Sequence, residues 1–428
     1  MDALNLQLIT FNVGEFLPGP ETDIARLIRN PTPDLVLIGL QEVRSGAQEL
    51  LIEQLLVGED AWSRETRQTL SSLGFIKVRS IKLMGLVLLL FCLEKHVPYL
   101  RGLETQYTRY IYKDIIRFQI YGVSVCVLNS HLAAHDHNNQ ARIESYNTVL
   151  GSHTYTSPNT ELIMYHDYVF WMGDLNFRLE MNSFSFQEIE DLVSKGVLSK
   201  LLGEDQLSGA RSSGQAFSEL EENQPSFPPT FKYKVGTGVF DSKRRPAWTD
   251  RILFKVNKGN YDNLELSLHQ ESYTSHPEFL ESDHKPVSSS FKLSVFSSKL
   301  AEELLVQCFH PIVRFHTEDV YCGEDNTIVY SVNVKDWRYL KAWDWIGVYK
   351  GEEASFQDHI GFLWAPSSPT RQEAFQLSFD DSIFIRSGAY RLVYYSAESK
   401  DILGISSIFQ ARVRELGPEV GVEATEEL

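Results

Sequence analysis

Side chains able to bind metal or to transfer protons follow several short apolar segments of the sequence. Asn12 follows the run LQLITF, and Glu42 follows the run DLVLIGLQ. Strand ends present side chains to a cleft while the sheet holds them in place, and an amide and a carboxylate there can hold a hard cation such as Mg²⁺. By themselves, however, these two residues fit a turn-forming asparagine and a solvated glutamate better.

A histidine cluster follows another apolar segment, in NSHLAAHDH at residues 129–137. His131 and His135 have the HxxxH spacing of some zinc sites, but they follow a predicted strand and have no third ligand in clear register. We therefore expect His131 to be catalytic, and His135 and His137 to be loop residues.

The most informative segment is VFWMGDLNFR, at residues 169–178. An aromatic-rich strand leads into Gly173, and Asp174 and Asn176 follow at alternate positions, which lie on the same side of an extended chain. A carboxylate and an amide placed together suit a general base and a donor that stabilises an anion. A Gly-Asp turn capped by asparagine is the structural alternative.

Two later segments complete the candidate site. Asp250 precedes an apolar run in PAWTDRILF, and Asp283 and His284 lie side by side in ESDHKPV. Such neighbours can divide their work, with one side chain at a metal and the other at a phosphate oxygen. An isolated Asp-His pair is more often surface decoration, but the whole spaced set predicts an active site.

The segment from Thr230 to Lys258 is basic in a chain that is otherwise acidic. The chain of 428 residues has a net charge of −17. Against Asp241 and Asp250, the segment places the cations Lys232, Lys234, Lys243, Arg244, Arg245, Arg251, Lys255 and Lys258. A solvated pair of strands could carry these charges, but because Asp250 lies among them we expect the segment to capture several phosphate groups.

Strands and helices alternate through residues 1–297, which predicts a layered α/β domain. Apolar runs predict strands at 6–13, 34–40, 75–82, 85–93, 115–128, 167–172, 251–256, 264–268 and 287–296. Helical spacing predicts helices at 22–30, 48–56 and 186–202. The longest apolar run, Leu83 to Leu93, is shorter than the roughly 18–20 residues of a membrane-spanning helix, so it predicts a buried strand.

The composition and periodicity of the sequence change after the predicted boundary at Ser297-Ser298-Lys299. Four of the seven tryptophans lie beyond it, and a small β-sandwich over 304–413 is predicted. Its strand candidates are 304–315, 327–334, 344–349, 383–386, 391–395 and 405–413. The acidic tail from Glu415 to Leu428 lacks aromatic residues, and we expect it to be disordered.

Composition excludes several classes of protein. A hydrophobic fraction of 43% with 23% charged residues excludes wholesale disorder. The acidic balance argues against a nucleic-acid partner and against a broad membrane-binding surface. Because the four cysteines form no CxxC pair and the first residues lack a basic signal-peptide region, we expect buried reduced thiols and a cytoplasmic protein.

These segments resemble the signature motifs of the inositol polyphosphate 5-phosphatases. The match lies in WMGDLNFR, FPPTFKYKVGTGVFDSKRRPAWTDRIL and SDHKPV, with FNV, LIGLQEV and LNSHLAAH in the expected order, over residues 5–297. WDWIGVYK, YRLVYYS and ILGISSIFQ in the C-terminal portion resemble a SKICH domain. The resemblance implies a DNase-I-like four-layer α/β sandwich around two β-sheets, followed by the small all-β SKICH domain.

The resemblance also implies roles for the strand-end residues. Glu42 would be the main Mg²⁺ ligand, with Asn12 beside it. Asp174 would activate the attacking water, and Asn176 would stabilise charge on the phosphoryl group.

The histidines and the remaining carboxylates would surround the phosphate. His284 would hold the scissile phosphate, while Asp283 contributes to the network of metal and histidine. His131 would lie opposite, at the phosphate, and Asp250 would orient one of the two histidines.

Recognition of the substrate would fall to the basic segment. Lys232, Lys243 and Arg244 match the positions that grip the neighbouring 4-phosphate of the inositol ring, with Tyr233 as a further candidate. The implied substrates are phosphoinositide lipids, and soluble inositol phosphates as a second class. The implied location is the cytoplasm with recruitment to the endoplasmic reticulum or plasma membrane, through peripheral contact and with the SKICH domain as a site for a protein partner.

One segment departs from the family pattern. After Thr108-Arg109 the family has a glycine-rich stretch ending in Gly-Asn-Lys-Gly, whereas this chain reads TRYIYKDIIRFQIYG. Lys113 is the candidate replacement for the missing lysine, but Asp114 and the isoleucines after it do not cradle phosphate. We therefore expect a weak enzyme.

Three functions compete. The leading one is a Mg²⁺-dependent phosphatase that removes the 5-phosphate of phosphatidylinositol 4,5-bisphosphate and related inositol phosphates. The non-enzyme alternative is a catalytically weakened phosphoinositide-binding adaptor that acts through the SKICH domain. A DNase-I-like nuclease is the second enzyme, and the KRRPAWTDRIL module argues against it.

Overall fold

The computed structural model describes residues 2–19, 22–44, 59–108, 113–151, 162–262, 264–297, 299–300, 311–317, 319–351, 356, 359–365 and 374–414. The chain divides into two compact units, Met1–Phe309 and His310–Leu428, and the division falls after the predicted boundary at Ser297-Ser298-Lys299. The helix predicted at 48–56 and the tail from Glu415 lie outside the described residues.

The first unit is built on two β-sheets. In chain order its strands are β1 (Asp2–Asn12), β2 (Leu35–Gln41), β3 (Phe75–Leu83), β4 (Leu86–Leu93), β5 (Leu100–Thr108), β6 (Lys113–Ile120), β7 (Val123–His131), β8 (Tyr168–Asp174), β9 (Asp250–Val256), β10 (Leu268–Ser275) and β11 (Val287–Val295). One sheet has the strand order β10-β11-β1-β2-β4-β3, and the other has the order β5-β6-β7-β8-β9.

Helices cover the outer faces of these sheets. They are α1 (Ala61–Ser72), α2 (Asn139–Gly151), α3 (Phe186–Ser194), α4 (Leu198–Leu202) and α5 (Gln206–Ser212), with 3-10 turns at Ile24–Leu27, Glu94–Tyr99 and Ile163–Tyr165. Trp62 and Leu70 of α1 pack with Ile38 on the first sheet. Tyr146 of α2 and Leu207 of α5 pack with Trp171 on the second.

The inner faces of the two sheets pack on each other, β1 against β8 and β4 against β6. The order is therefore helix, sheet, sheet, helix, and the predicted DNase-I-like four-layer sandwich is confirmed. The run predicted as a buried strand is β4, and its residues Leu86 to Cys92 are at most 1% exposed. Among the described residues, no helix is long and apolar enough to cross a membrane.

Strand direction brings the polar strand ends to one edge of the sandwich. β1 and β2 are parallel, and so are β7 and β8. β9 is antiparallel to β8, so it begins where β8 ends, and β11 begins where β1 ends for the same reason. Both sheets therefore deliver their functional side chains to the same edge.

A buried polar side chain joins the two sheets beneath that edge. Asn129 of β7 donates from Nδ2 to the Leu40 and Val87 carbonyls of the first sheet at 3.1 and 3.0 Å, and its Oδ1 accepts from Gln41 Nε2 at 2.6 Å. Gly39 leaves the space for this bridge, because a Cβ there would lie 2.7 Å from Asn129 Oδ1. The bridge satisfies buried backbone groups whose loss would be costly.

Several predicted elements of the first unit differ from the structure. The strand predicted at 115–128 is two strands, because Tyr121 and Gly122 have positive φ and turn the chain. The helix predicted at 186–202 breaks at Gly196, which also has positive φ. The helix predicted at 22–30 is the single 3-10 turn Ile24–Leu27, and the strand predicted at 264–268 begins only at Leu268.

The second unit is a β-sandwich, as predicted. Its strands are β12 (Val313–His316), β13 (Val320–Tyr321), β14 (Asn326–Val332), β15 (Trp345–Lys350), β16 (Gly361–Trp364), β17 (Ala374–Phe379), β18 (Gly388–Tyr395), β19 (Ile402–Ile405) and β20 (Phe409–Arg412). They form the sheets β12-β14-β17 and β13-β20-β18-β15-β16, with β19 paired to β18. Tyr330 of β14 and Tyr394 of β18 contact each other at 5.6 Å between ring centroids.

Two of the strands predicted in this unit are not confirmed. The strand predicted at 383–386 is wrong, since Ile383 N bonds back to Asp380 O in a turn. Most of the strand predicted at 304–315 lies outside the described residues, as does Cys308. Cys92 and Cys126 are buried cysteines, whereas Cys322 is only partly buried.

We expect Gly39→Ala to lower the free energy of unfolding by about 1–3 kcal/mol, because the added methyl group overlaps the Asn129 amide. Gly209→Ala is the matched control, since a Cβ at Gly209 within α5 would meet nothing within 4 Å. That variant should gain about 0.5–1 kcal/mol from helix propensity. Urea unfolding of both variants measures the difference, and equal effects would contradict a bridge that needs Gly39.

Candidate active site

The buried carboxylate of Asp174 lies at the centre of a polar cluster. Asn12 Nδ2 donates to Asp174 Oδ2 at 2.9 Å and to Glu42 Oε1 at 3.1 Å. His131 Nε2 lies 3.4 Å from Asp174 Oδ2 and 3.7 Å from Glu42 Oε1. His284 Nε2 approaches Asp174 Oδ2 from another side, at 3.9 Å. Two sheets therefore contribute to one site, as the strand-end pattern predicts.

The local backbone explains why these residues converge. Glu42 and Asn176 have φ values of 54° and 56°, so the chain turns sharply as each leaves its strand. Non-glycine residues in this region are strained and concentrate at functional sites. Gly173 is required for space, because a Cβ there would lie 2.0 Å from the Ser130 carbonyl oxygen on the neighbouring strand.

Asp250 and His284 form a second buried pair beside Asp174. His284 Nδ1 lies 2.9 Å from Asp250 Oδ2. Thr230 and Thr249 donate their hydroxyls to the same oxygen at 2.7 and 2.8 Å. The predicted orienting role of Asp250 therefore has His284 as its partner, which the sequence left open between the two histidines.

Asn176 is held by the backbone around it. Its main-chain N–H donates to Asp174 Oδ1 at 3.0 Å, and its Nδ2 donates to the Leu132 carbonyl at 3.1 Å. Leu132 follows His131, so this bond ties the loop after β8 to the loop after β7. Asp283 lies at the rim, where it forms an ion pair with Lys232.

Burial and charge set the protonation of the central groups. Asp174 is 1% exposed, and burial raises the pKa of its carboxyl while His284 and His131 oppose that shift. Burial alone would lower the pKa of His284, but Asp250, Asp174 and Asp283 raise it to about 9. A pKa of about 9 makes the His284 side chain an imidazolium at neutral pH, beside Asp250 and Asp174.

The donor set fits a hard divalent cation. Glu42, His131 and Asp174 offer ligand atoms that all lie within 4.8 Å of one another. The Glu42 side chain is 40% exposed and lines a cavity of about 470 Å³ together with Arg44 and Met84. Carboxylate oxygens beside open space suit Mg²⁺, which keeps several waters. Asn12 turns its amide nitrogen to both carboxylates, so in this geometry it holds them together, and its role as a ligand stays a prediction.

The basic segment does not act as one surface. Lys243 and Arg244 are exposed. Burial lowers the pKa of Arg178 beside the site, and the charge of Arg244 lowers it further. Arg251, in contrast, is fully buried and pairs with Asp205 and Glu222. The expectation that the whole segment captures phosphate is therefore wrong for Arg251, which serves the interior of the fold.

Two other cations of the segment form ion pairs with carboxylates of the protein. Arg245 binds Asp136 at 3.0 Å, and Lys258 lies 3.4 Å from Glu265. Tyr233 is 7% exposed and donates its hydroxyl to the Pro229 carbonyl at 2.9 Å. The structure gives Tyr233 a packing role, and its contact with substrate stays a prediction.

Lys113 does not reach the site. It is the first residue of β6, is fully buried, and has Nζ 3.4 Å from the Val149 carbonyl of α2. Its register partner is Ser130, whose hydroxyl accepts from Trp171 on the helix-covered face of the sheet. The proposed replacement of the missing lysine is thus wrong, because Lys113 lies on the face away from the cleft.

Sequence reasoning missed several residues that support the site. Ser282 donates its hydroxyl to the Asn12 carbonyl at 2.7 Å and accepts from the His284 N–H at 3.1 Å. Thr230 and Thr249 were missed as partners of Asp250. The sequence signal that could have identified two of these residues is their position, because Ser282 directly precedes Asp283-His284 and Thr249 directly precedes Asp250. Small hydroxyl residues next to catalytic groups are common, so that signal is weak.

Two family models match the chain. The model of endonuclease/exonuclease/phosphatase family 2 covers residues 9–290, and that of the SKICH domain covers residues 313–411. The chain belongs to the endonuclease/exonuclease/phosphatase family. The predicted SKICH domain is confirmed as well.

Curated relatives place the chain near the inositol polyphosphate 5-phosphatases. The human phosphatidylinositol 4,5-bisphosphate 5-phosphatase A is 32% identical over 95% of this chain, which spans 42% of that relative. Inositol polyphosphate 5-phosphatase K of Mus musculus is 29% identical, with 96% of this chain and 90% of the relative covered. The resemblance of the motifs to this group is confirmed.

Solved structures share the fold of the first unit. The inositol polyphosphate 5-phosphatase domain of a synaptojanin, in complex with inositol (1,4)-bisphosphate and calcium ion, aligns with a TM-score of 0.59 and 25% identity over 72% of this chain and 90% of that one. A Cimex nitrophorin aligns with a TM-score of 0.54 and 22% identity over 68% of this chain and 99% of that one. The nitrophorin likeness concerns the fold alone.

We expect Asp250→Asn to lower the pKa of His284 in the metal-free protein, because it removes the carboxylate that accepts from Nδ1. A pKa raised from 6.5 to about 9 contributes stability that is fully present below pH 6.5 and is lost as the pH rises through about 9. The stability difference between wild type and variant should therefore be largest below pH 6.5. Guanidinium unfolding with a chelator, across this pH range, measures it.

The control is Asp191→Asn, which changes an exposed carboxylate on α3 that pairs with Lys195. Its stability difference from wild type should not change between pH 6.5 and 9. A difference for Asp250→Asn that is equally independent of pH would show that Asp250 does not hold the charge of His284.

Proposed function

We propose that the protein is a Mg²⁺-dependent phosphoinositide 5-phosphatase that removes the 5-phosphate of phosphatidylinositol 4,5-bisphosphate and related inositol phosphates. The observation that carries the proposal is the convergence of Glu42, His131, Asp174 and His284 at one sheet edge. The activity is that of the curated relatives named above, over 95% of this chain. A nuclease would need the same edge and the same kind of cations, so it is the curated 5-phosphatase relatives named above that favour the phosphatase.

The side chains divide the reaction between them. Asp174 faces His131 and His284 and accepts from Asn12, so it is fixed as the acceptor for a proton of the attacking water. His284, cationic at neutral pH, binds the scissile phosphate and stabilises the charge that spreads over its oxygens. Asp250 fixes the His284 ring and leaves Nε2 free to point at the phosphate.

Glu42 is the residue that would hold Mg²⁺, with Asp174 and His131 within reach. When bound, the ion would neutralise phosphate charge and orient the reacting groups. Asn12 keeps Glu42 and Asp174 together by donating to both, which lowers the repulsion between the carboxylates.

Phosphoinositide lipids and soluble inositol phosphates both carry the phosphates that this site would bind. Lys232, Lys243 and Arg244 remain the proposed contacts to the 4-phosphate. Lys243 and Arg244 are exposed, and Lys232 reaches the rim through its ion pair with Asp283. A cation that changes partner from a carboxylate to a phosphate keeps its charge satisfied in both states.

Peripheral membrane contact, a cytoplasmic location and recruitment to the endoplasmic reticulum or plasma membrane stay proposals. An exposed aromatic surface on the second unit supports a contact site there. Trp343, Phe362 and Trp364 are 73%, 44% and 56% exposed, and neighbouring rings in this cluster lie 5.4 to 5.8 Å apart. Exposed aromatic clusters mark interaction sites, and a protein partner for the SKICH domain remains a prediction.

A second candidate function is the weakened phosphoinositide-binding adaptor. The observation in its favour is Lys113, which lies under α2 and leaves the family lysine without a replacement at that position. The intact cluster around Asp174 opposes it. Phosphate release with and without Mg²⁺ separates the two functions.

Asp174→Asn should lower the rate of phosphate release by at least about 10²–10³, because it removes one preorganised charged group. Its thermal unfolding should stay near that of wild type, since the variant loses a buried charge rather than a packing group. The measurement is release of inorganic phosphate from phosphatidylinositol 4,5-bisphosphate, with Asp191→Asn as the control. Wild-type turnover by Asp174→Asn, or full activity in excess chelator, would refute the mechanism.

Lys243→Ala and Arg244→Ala should weaken hydrolysis of the 4,5-bisphosphate by about 1.5–3 kcal/mol in kcat/KM, the value of a charge-assisted bond. Hydrolysis of phosphatidylinositol 5-phosphate should change much less. Lys258→Ala is the control from the same basic segment, because Lys258 pairs with Glu265. Equal losses on both substrates would mean that these residues provide only general attraction.

A further inference from the structure

Arg178 is a buried cation beside the site that the mechanism above does not use. It ends the motif GDLNFR and is 5% exposed. Its Nε donates to the main-chain carbonyl of Asn176 at 3.1 Å, and its Nη2 donates to Asn176 Oδ1. Since Asn176 Nδ2 donates to the Leu132 carbonyl, both ends of the amide are fixed. Arg178 therefore fixes the orientation of the Asn176 amide, with Oδ1 toward the guanidinium and Nδ2 toward the Leu132 carbonyl.

The same guanidinium lies over the ring of Phe231. The Arg178 carbon Cζ lies 4.3 Å from the centroid of the Phe231 ring. The ring of His284 lies 4.5 Å from that centroid at an interplanar angle of 40°. Phe231 is 8% exposed, so the ring has little freedom to move away. Phe231 thus contacts both the guanidinium of Arg178 and the imidazole of His284.

The outer layer holds Arg178 in place. Its main-chain N–H donates to Gln206 Oε1 at 3.1 Å, and its carbonyl accepts from Gln206 N at 2.8 Å. Gln206 is the first residue of α5, and its Oε1 also accepts from Arg142 Nη2 of α2 at 2.7 Å. The position of Arg178 is therefore set by helices on the far side of the sheet and does not depend on substrate.

We propose that Arg178 is a positioning residue that fixes the Asn176 amide directly and the His284 imidazole through Phe231. The expected effect of Arg178 on kcat rests on the proposed function, whereas its expected effect on the His284 ring does not. Arginine suits the task because a planar fork can donate along its edge to Asn176 while its face stacks on an aromatic ring. A lysine ammonium at this position could still donate and could lie over a ring, but it lacks the planar fork that holds Asn176 and Phe231 in one fixed geometry.

The experiment compares Arg178→Lys and Phe231→Leu with the matched control Arg117→Lys. Arg117 is 6% exposed, so the control makes the same change at similar burial, and Arg117 pairs with Glu104 at 2.9 Å on the strand pair β5–β6. One readout is kcat and KM for phosphate release from phosphatidylinositol 4,5-bisphosphate. The other is the downfield proton resonance of His284 Nδ1–H in the metal-free protein, assigned by its loss in His284→Gln.

Arg178→Lys should lower kcat about tenfold or more with KM within about twofold, because positioning acts on the transition state more than on binding. The His284 resonance should shift in Arg178→Lys and in Phe231→Leu, and Arg117→Lys should change neither readout. If Arg178→Lys does not fold, as thermal unfolding would show, Phe231→Leu carries the same two expectations.

An unchanged His284 resonance in Arg178→Lys and Phe231→Leu would overturn the proposal, and so would equal kinetic losses in Arg178→Lys and Arg117→Lys. A wild-type protein that releases no phosphate would instead refute the proposed function. In that case the resonance comparison still decides whether Arg178 positions His284.

Discussion

The burial of the Asp174 carboxylate is the constraint on which the rest of the site depends. A carboxylate that is 1% exposed is costly unless neighbours compensate for its lost hydration. Asn12 comes from the first sheet to donate to it, and His131 and His284 lie beside it at 3.4 and 3.9 Å. Because these partners come from both sheets, the site forms only when the two sheets pack in register. The Asn129 bridge beneath the edge is therefore part of the machinery that holds the site.

The same need to compensate buried polar groups explains the hydrogen bonds that surround His284 and Asp250. Asp250 balances His284, and the hydroxyls of Thr230 and Thr249 balance Asp250. All of these bonds converge on Asp250 Oδ2, whereas its buried Oδ1 has no hydrogen-bond partner among the described residues. The bonds to Oδ2 fix the His284 ring, and fixed positions at the reacting atoms are what preorganised electrostatics require.

The sequence predicted the parts that depend on local pattern. Short apolar runs ending in Asn12, Glu42, His131 and Asp174 predicted strands that deliver side chains to one edge, and the structure brings these residues together. Periodicity failed for α2, because its buried face includes Arg142, which interrupts the apolar stripe. Charge counting failed for Arg251, since a sequence does not reveal that Asp205 and Glu222 lie against it. Long-range partners of this kind are fixed by tertiary packing, which local pattern does not record.

The fold alone would not have given the function. A nitrophorin shares the fold of the first unit, and folds host unrelated activities whereas sites define them. The proposal of a 5-phosphatase rests on the cluster around Asp174 together with curated relatives of that activity that align over 95% of this chain. The departure from the family pattern near Lys113 leaves the cluster around Asp174 in place, and a reduced rate stays a prediction.

The central claim concerns which phosphate is removed, and identification of the product tests it most directly. Purified protein would be incubated with phosphatidylinositol 4,5-bisphosphate and Mg²⁺, and the regioisomer of the monophosphate product would be determined by chromatography against standards. The account predicts phosphatidylinositol 4-phosphate as the product. Phosphatidylinositol 5-phosphate as the product, or no product in the presence of Mg²⁺, would contradict it.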